Sequence, residues 1–174
     1  MKVQLLFILI FSGLGLKAQD SLRKPPLSTI KTEDKTIAVY DFSGLEPLLH
    51  LKNDSTYIIN FWATWCIPCV QELPYFEQML KKYSKDGLSV KLISLDFPKQ
   101  VDKSLIPFLM KKKLKSEVIL LDDKDPNDWI NKVNPNWSGA LPATIIYNKT
   151  KRLFFEKNFN FEELEQEYLK LKNK

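Results

Sequence analysis

Cys66 and Cys69 are the only cysteines of the chain, separated by two residues within the run F-W-A-T-W-C-I-P-C-V at 61–70. Residues 56–62 are rich in β-branched and aromatic side chains and read as a buried strand, while Val70, Leu73, Phe76, Leu80 and Tyr83 recur at helical spacing. Cys66 therefore falls at a helix N-terminus. There, unpaired backbone N–H groups and the positive end of the helix dipole favour thiolate over thiol, lowering an ordinary cysteine pKa of about 8.5 to roughly 7 or below. The pair reads as a redox centre. A zinc site would need two further good ligands, and the chain offers His50 and no third cysteine. A purely structural disulfide across so short a loop removes little chain entropy, and a chain of this length has a core to rely on. An inert buried pair sits poorly with the flanking tryptophans and with Pro68 near the first helical position.

The elements that must position these thiols begin well inside the chain. Met1-Lys2, an apolar run over residues 5–16 and a small residue at Ala18 form the pattern of a cleaved secretory signal at 1–18. The run is about twelve residues, where a membrane span needs about twenty. Cleavage after Ala18 and export to a periplasmic or other extracytoplasmic space are expected, with an uncleaved membrane anchor as the weaker alternative. With no cysteine nearby, a lipoprotein anchor is excluded. The remainder is long enough for one domain with a sizeable core. The net charge is +5, from 26 Lys and Arg against 21 Asp and Glu, and Lys2 and Lys17 leave with the signal. So mild a balance implies no nucleic-acid partner. The densest basic run, Lys111-Lys112-Lys113-Leu114-Lys115, has no interleaved aromatics and reads as the solvated end of a helix.

Residues 19–34, polar and containing Pro25-Pro26, read as a flexible linker, which leaves 35–174 as the domain. Strands are expected at 36–40, 56–62, 89–96, 117–121, 143–147 and 152–157, the last two joined as a hairpin. Helices are expected at 44–51, at 66–85 with a kink at Pro74 and a stop at Gly87, and at 105–114 with Pro107 in the first turn. A further helix carries Trp129, Ile130 and Val133 behind an Asp125-Pro126 cap. The last opens on a capping box of Asn160 and Glu163 and presents Phe161, Leu164, Tyr168 and Leu171 on one face. No internal repeat is present. Strand–helix alternation, interrupted by a helix–strand–helix insertion and closed by two strands and a helix, argues a three-layer α/β domain.

With these elements laid out, the strand reading N-F-W-A-T-W-C-x-P-C, the E-L-P at 72–74 and the G-A-L-P-A-T at 139–144 resemble thioredoxin-fold proteins. The resemblance is to the envelope thiol-disulfide oxidoreductases of the TlpA and ResA type, over roughly residues 36–171. It implies a thioredoxin-like three-layer α/β fold with a central mixed sheet and the TlpA-type helix–strand insertion before a cis-proline strand. It implies also that Cys66 attacks as the nucleophile, that Cys69 resolves, and that the Cys66–Cys69 disulfide serves without any other cofactor or metal. Pro142 would be the cis-proline facing that disulfide, and Leu141 would offer backbone groups to an extended substrate. Trp65, Ile67 and Pro68 would complete the substrate surface, with Trp62 mostly inside. Ile67-Pro68 departs from the Gly-Pro of thioredoxin.

Proton chemistry turns on two positions. Plain thioredoxins have a buried aspartate where this chain has Asn60. Glu72, three residues after Cys69 and on the same helical face, is the replacement for proton exchange with the thiols, as in the ResA-like branch. The plainer reading is that Glu72 complements the helix dipole. The resemblance further implies reduction of protein disulfides, apocytochromes among them, and a membrane thiol donor of the DsbD or CcdA type. Two other functions compete. A peroxiredoxin-like thiol peroxidase would use the Thr-x-Cys at 64–66, but that family's proline three residues before the threonine is Phe61 here, and Arg23 and Arg152 are the only arginines. A binding module with a vestigial disulfide is the third.

Overall fold

Every residue of Thr56–Trp62 is buried, and a strand covered on both faces has to lie inside a sheet flanked by helices. The computed structural model, which describes residues 24–172, has that architecture. Its strands are β1 (Ser28–Lys31), β2 (Thr36–Tyr40), β3 (Thr56–Trp62), β4 (Leu88–Ser94), β5 (Glu117–Leu121), β6 (Ala143–Tyr147) and β7 (Arg152–Phe155). Its helices are α1 (Phe42–Leu45), α2 (Ile67–Tyr83), α3 (Leu105–Lys112), α4 (Pro126–Val133) and α5 (Phe161–Lys172). One sheet holds all seven strands in the order β1-β2-β5-β4-β3-β6-β7. The run β2-β5-β4-β3 is parallel, while β1 and the β6-β7 hairpin are antiparallel to their neighbours. The inserted strand β5 therefore goes into the middle of the sheet.

Alternation along β3 sorts the two cores. Ile58 and Trp62 pack with Leu73, Phe76 and Met79 of α2, Leu105 and Leu109 of α3, and Leu164 and Tyr168 of α5. Tyr57, Ile59 and Phe61 face the other way, onto Leu45 of α1 and Trp129 and Val133 of α4. A period of two in the strand thus yields three layers.

Local signals set the boundaries. Asp41 caps α1 by accepting from the Gly44 N–H at 2.8 Å, and the expected helix at 44–51 is instead this short helix followed by a 3-10 turn, Glu46–Leu49. α2 continues through Pro74, ends in a 3-10 turn and stops at Gly87, whose φ of 82° suits a residue without a side chain. Asn160 accepts from the Glu163 N–H at 2.9 Å, so the capping residue opens α5 as expected. The flexible linker at 19–34 needs correction: Ser28–Lys31 is β1, paired in register with β2 from Ser28↔Val39 to Lys31↔Thr36. The expected signal at 1–18 lies outside the described residues. Among those described, no helix is long and apolar enough to cross a membrane.

Candidate active site

Three loops converge at one end of the sheet because of its register. Trp62 ends β3 opposite Ser94, which ends the parallel β4, and Phe61 lies opposite Ala143, which begins the antiparallel β6. The segment leading to Cys66, the segment after Ser94 and the segment ending in Pro142 must therefore meet. Cys66 is the N-cap of α2: its backbone is extended and its Sγ accepts from the Cys69 N–H at 3.3 Å. The two cysteines form a disulfide with Cα atoms 5.3 Å apart. Cys66 retains 6% exposure and Cys69 none, so a partner sulfur can approach only the first.

Around this disulfide the apolar surface is open. Trp65 is 55% and Ile67 72% exposed, and Pro68 is also exposed. Trp62 is fully buried and stacks obliquely on Phe108, ring centroids 5.3 Å apart. The Leu141–Pro142 bond is cis, Leu141 is half-buried and Pro142 buried.

Behind the thiols, Glu72 is 1% exposed. Its Oε1 accepts from Asn60 Nδ2 at 2.9 Å and its Oε2 from the Phe159 N–H at 2.7 Å. Asn60 Nδ2 also donates to Thr144 Oγ1 at 3.0 Å, while Asn60 Oδ1 has no hydrogen-bond partner. Burial pushes the Glu72 carboxyl up from 4.5 to about 7, against the two hydrogen bonds, which favour the anion. Such a group gains or loses a proton near neutrality. When it gains one, the new hydroxyl needs an acceptor, and a half-turn of the Asn60 amide would bring the unpaired Oδ1 to face both Glu72 and Thr144. Glu72 also lines a groove of about 760 Å³ with Pro68, Gln71, Tyr75, Phe159 and Asn160. The Glu72 carboxylate thus joins α2 to β3 and to the segment before α5.

Several residues at this end of the molecule were not singled out from the sequence. Asp96, buried just beyond β4, accepts from the Thr64 N–H at 3.2 and 3.1 Å, from the Thr64 hydroxyl, and from Ser94 Oγ at 2.8 Å. Glu156, just after β7, accepts from the Ser138 N–H at 3.1 Å, from the Ser138 hydroxyl and from the Ala140 N–H at 3.2 Å. One carboxylate thus ties down the segment before Cys66, and the other the segment before Pro142. Phe97 stacks on Trp65, centroids 6.2 Å apart. An aspartate at the end of an apolar strand was the only local hint; the rest depends on long-range pairing.

Comparison with known proteins agrees with this geometry. The chain is 28% identical over 114 residues to a thiol-disulfide oxidoreductase ResA of Geobacillus thermodenitrificans, an alignment covering 65% of this chain and 60% of that protein. It is 30% identical over 110 residues to the ResA of Geobacillus kaustophilus, covering 63% and 58%. The chain thus spans less than two thirds of the length of these curated relatives. Among solved structures, a thioredoxin-related protein of Neisseria meningitidis serogroup B matches with a TM-score of 0.59 at 24% identity, covering 71% of this chain and 89% of that one. A secreted thiol-disulfide isomerase of Corynebacterium glutamicum matches with a TM-score of 0.59 at 18% identity, covering 84% and 82%. At such identities these two likenesses show the fold, which is thioredoxin-like. Residues 26–154 match the model of the AhpC/TSA family, and the chain belongs to that family.

Proposed function

We propose that this chain is an exported thiol-disulfide oxidoreductase that reduces protein disulfides. The observation that carries the reading is the Cys66–Cys69 disulfide at the N-terminus of α2, closed between one slightly exposed and one buried sulfur. In the dithiol form, the Cys66 thiolate attacks one sulfur of a substrate disulfide, expels the other as a thiolate and forms a mixed disulfide. Cys69, deprotonated, then attacks Cys66 Sγ, closes the 66–69 disulfide and releases the second substrate thiolate. Two electrons pass from the dithiol to the substrate, and the two protons of the cysteine pair end on its thiols. Glu72, titrating near neutrality, exchanges a proton with this pair, and Leu141 pairs its backbone with the extended substrate.

Export is supported by the signal pattern at 1–18 and by the secreted C. glutamicum neighbour. ResA relatives support protein thiols as the substrate class. A membrane thiol donor of the DsbD or CcdA type would restore the dithiol, with apocytochromes as the substrates to try first. Against peroxide reduction, Arg152 starts β7 opposite Tyr147 and donates to the Leu49 and Val133 carbonyls, at the end of the sheet remote from Cys66.

Parallel assays of protein-disulfide reduction and hydrogen peroxide consumption by the dithiol protein test the reading. Turnover of the disulfide with little peroxide loss is expected. The reverse would establish a peroxidase, and inertness in both a binding module.

A further inference from the structure

Among the described residues, the exposed large apolar side chains are Leu27, Trp65, Ile67, Phe97 and Met110. Two of these, Trp65 and Phe97, belong to loops that meet at the disulfide, and Ile67 opens α2 beside them, a clustering that isolated surface hydrophobes do not show. Phe97 lies 32 residues from Trp65 in sequence, and their rings stack with planes 21° apart. The pair is also firmly mounted. Thr64 and Asp96, the residues immediately before each ring, are bonded to one another through the buried Asp96 carboxylate. Pro98 follows Phe97 and restricts it to the extended backbone it adopts, with φ −64° and ψ 125°. Phe97 nevertheless remains 58% exposed, so this support fixes the ring in place without covering it. An apolar wall held in place beside a reactive sulfur costs a partner little ordering when it docks.

We infer that Phe97 is a specificity-determining residue, forming with Trp65 a wall that selects substrates carrying an aromatic or large aliphatic side chain within two residues of the reacting cysteine. The inference rests on the oxidoreductase reading above and names a feature of its substrates. Trp65 adjoins Cys66 in the chain, so a sulfur in line with Cys66 brings its own neighbouring side chains to this wall. In an extended substrate, successive side chains alternate in direction, and one of the two residues flanking the cysteine or the next one along meets the rings.

Two peptides test this, each with one central cysteine in mixed disulfide with glutathione, one with two phenylalanines on each side of the cysteine and the other with two serines on each side. Values of kcat/KM are measured for the wild type, Phe97→Ala and Phe97→Tyr. The wild type is expected to prefer the phenylalanine peptide. Phe97→Ala should reduce that preference about fivefold, the worth of one aromatic contact, through a slower reaction with the phenylalanine peptide alone; Phe97→Tyr should keep it. An unchanged preference in Phe97→Ala, or an equal loss on both peptides, would overturn the role of Phe97 while leaving the activity standing. A wild type that reduces neither peptide would overturn the oxidoreductase reading and the inference with it.

Discussion

Thr64 is bonded to Asp96 through both its backbone N–H and its hydroxyl, although the two lie 32 residues apart. Asp96 is buried, and Ser94 completes its coordination with a hydroxyl at 2.8 Å. The turn that delivers Cys66 to the start of α2 is thereby fixed to the end of β4. Asp96→Ala removes the acceptor and leaves the Thr64 N–H without its partner. It should cost about 2 kcal/mol of stability, the usual loss when a charged acceptor disappears from a partly buried site. Chemical denaturation of the two oxidised proteins measures this, and coincident curves would show that the contact contributes nothing.

This relationship also marks what the sequence could reveal. Thr56–Trp62 was legible residue for residue because β-branched and aromatic side chains fill six of its seven positions. Cys66, Cys69 and the position of Glu72 on α2 were legible because helical spacing is local. The Asp96 and Glu156 contacts were not, since nothing near either residue reports which loop the sheet will bring to it. β1 escaped for a different reason: Ser28–Lys31 is a short edge strand whose one apolar residue, Ile30, is only half-buried. Its pairing comes from β2, beside a Pro25-Pro26 segment that resembles a linker in composition.

Glu72 gives the protein a specific dependence on pH. Its carboxyl titrates at about 7 when folded, against an ordinary value of 4.5. Between those values the folded chain holds a proton that the unfolded chain has released. The contribution of Glu72 to stability should therefore be greatest below about pH 4.5, decline through the interval and be gone above about pH 7, a change on the order of 3 kcal/mol in all. Glu72→Gln lacks the titrating group, so the fall in stability between pH 5 and pH 8 should shrink in that variant. Parallel pH dependences of the two proteins would show that Glu72 titrates as an ordinary carboxyl.

Exposure and the helix terminus together predict unequal thiols. In the reduced protein Cys66 should be alkylated well before Cys69, because it caps α2 and is the more exposed. Cys66→Ser should abolish disulfide reduction. Cys69→Ser should still attack but fail to release its substrate, so that mixed disulfides accumulate and can be isolated. Equal labelling of the two thiols would reject this division of roles.

Glu156 tests whether the loop before Pro142 matters to large substrates alone. Its carboxylate gathers the Ser138 hydroxyl and the Ser138 and Ala140 N–H groups around Gly139, whose φ is 89°. These bonds, the Ser138 hydroxyl foremost, hold its carboxyl below the usual carboxylate range. The clamp is therefore present at neutral pH and is released only as the pH falls through that lowered value. Water can reach this exposed site, so Glu156→Ala should change stability by no more than about 0.5 kcal/mol. Leu141, the residue immediately after the clamped loop, is the proposed backbone partner of an extended polypeptide, whereas a small aromatic disulfide needs only Cys66. Glu156→Ala should then slow the reduction of a protein disulfide several-fold, mainly through KM, and leave the reaction with the small disulfide unchanged. Equal slowing on both would locate the effect at the cysteines, and no slowing on either would confine Glu156 to a surface contact.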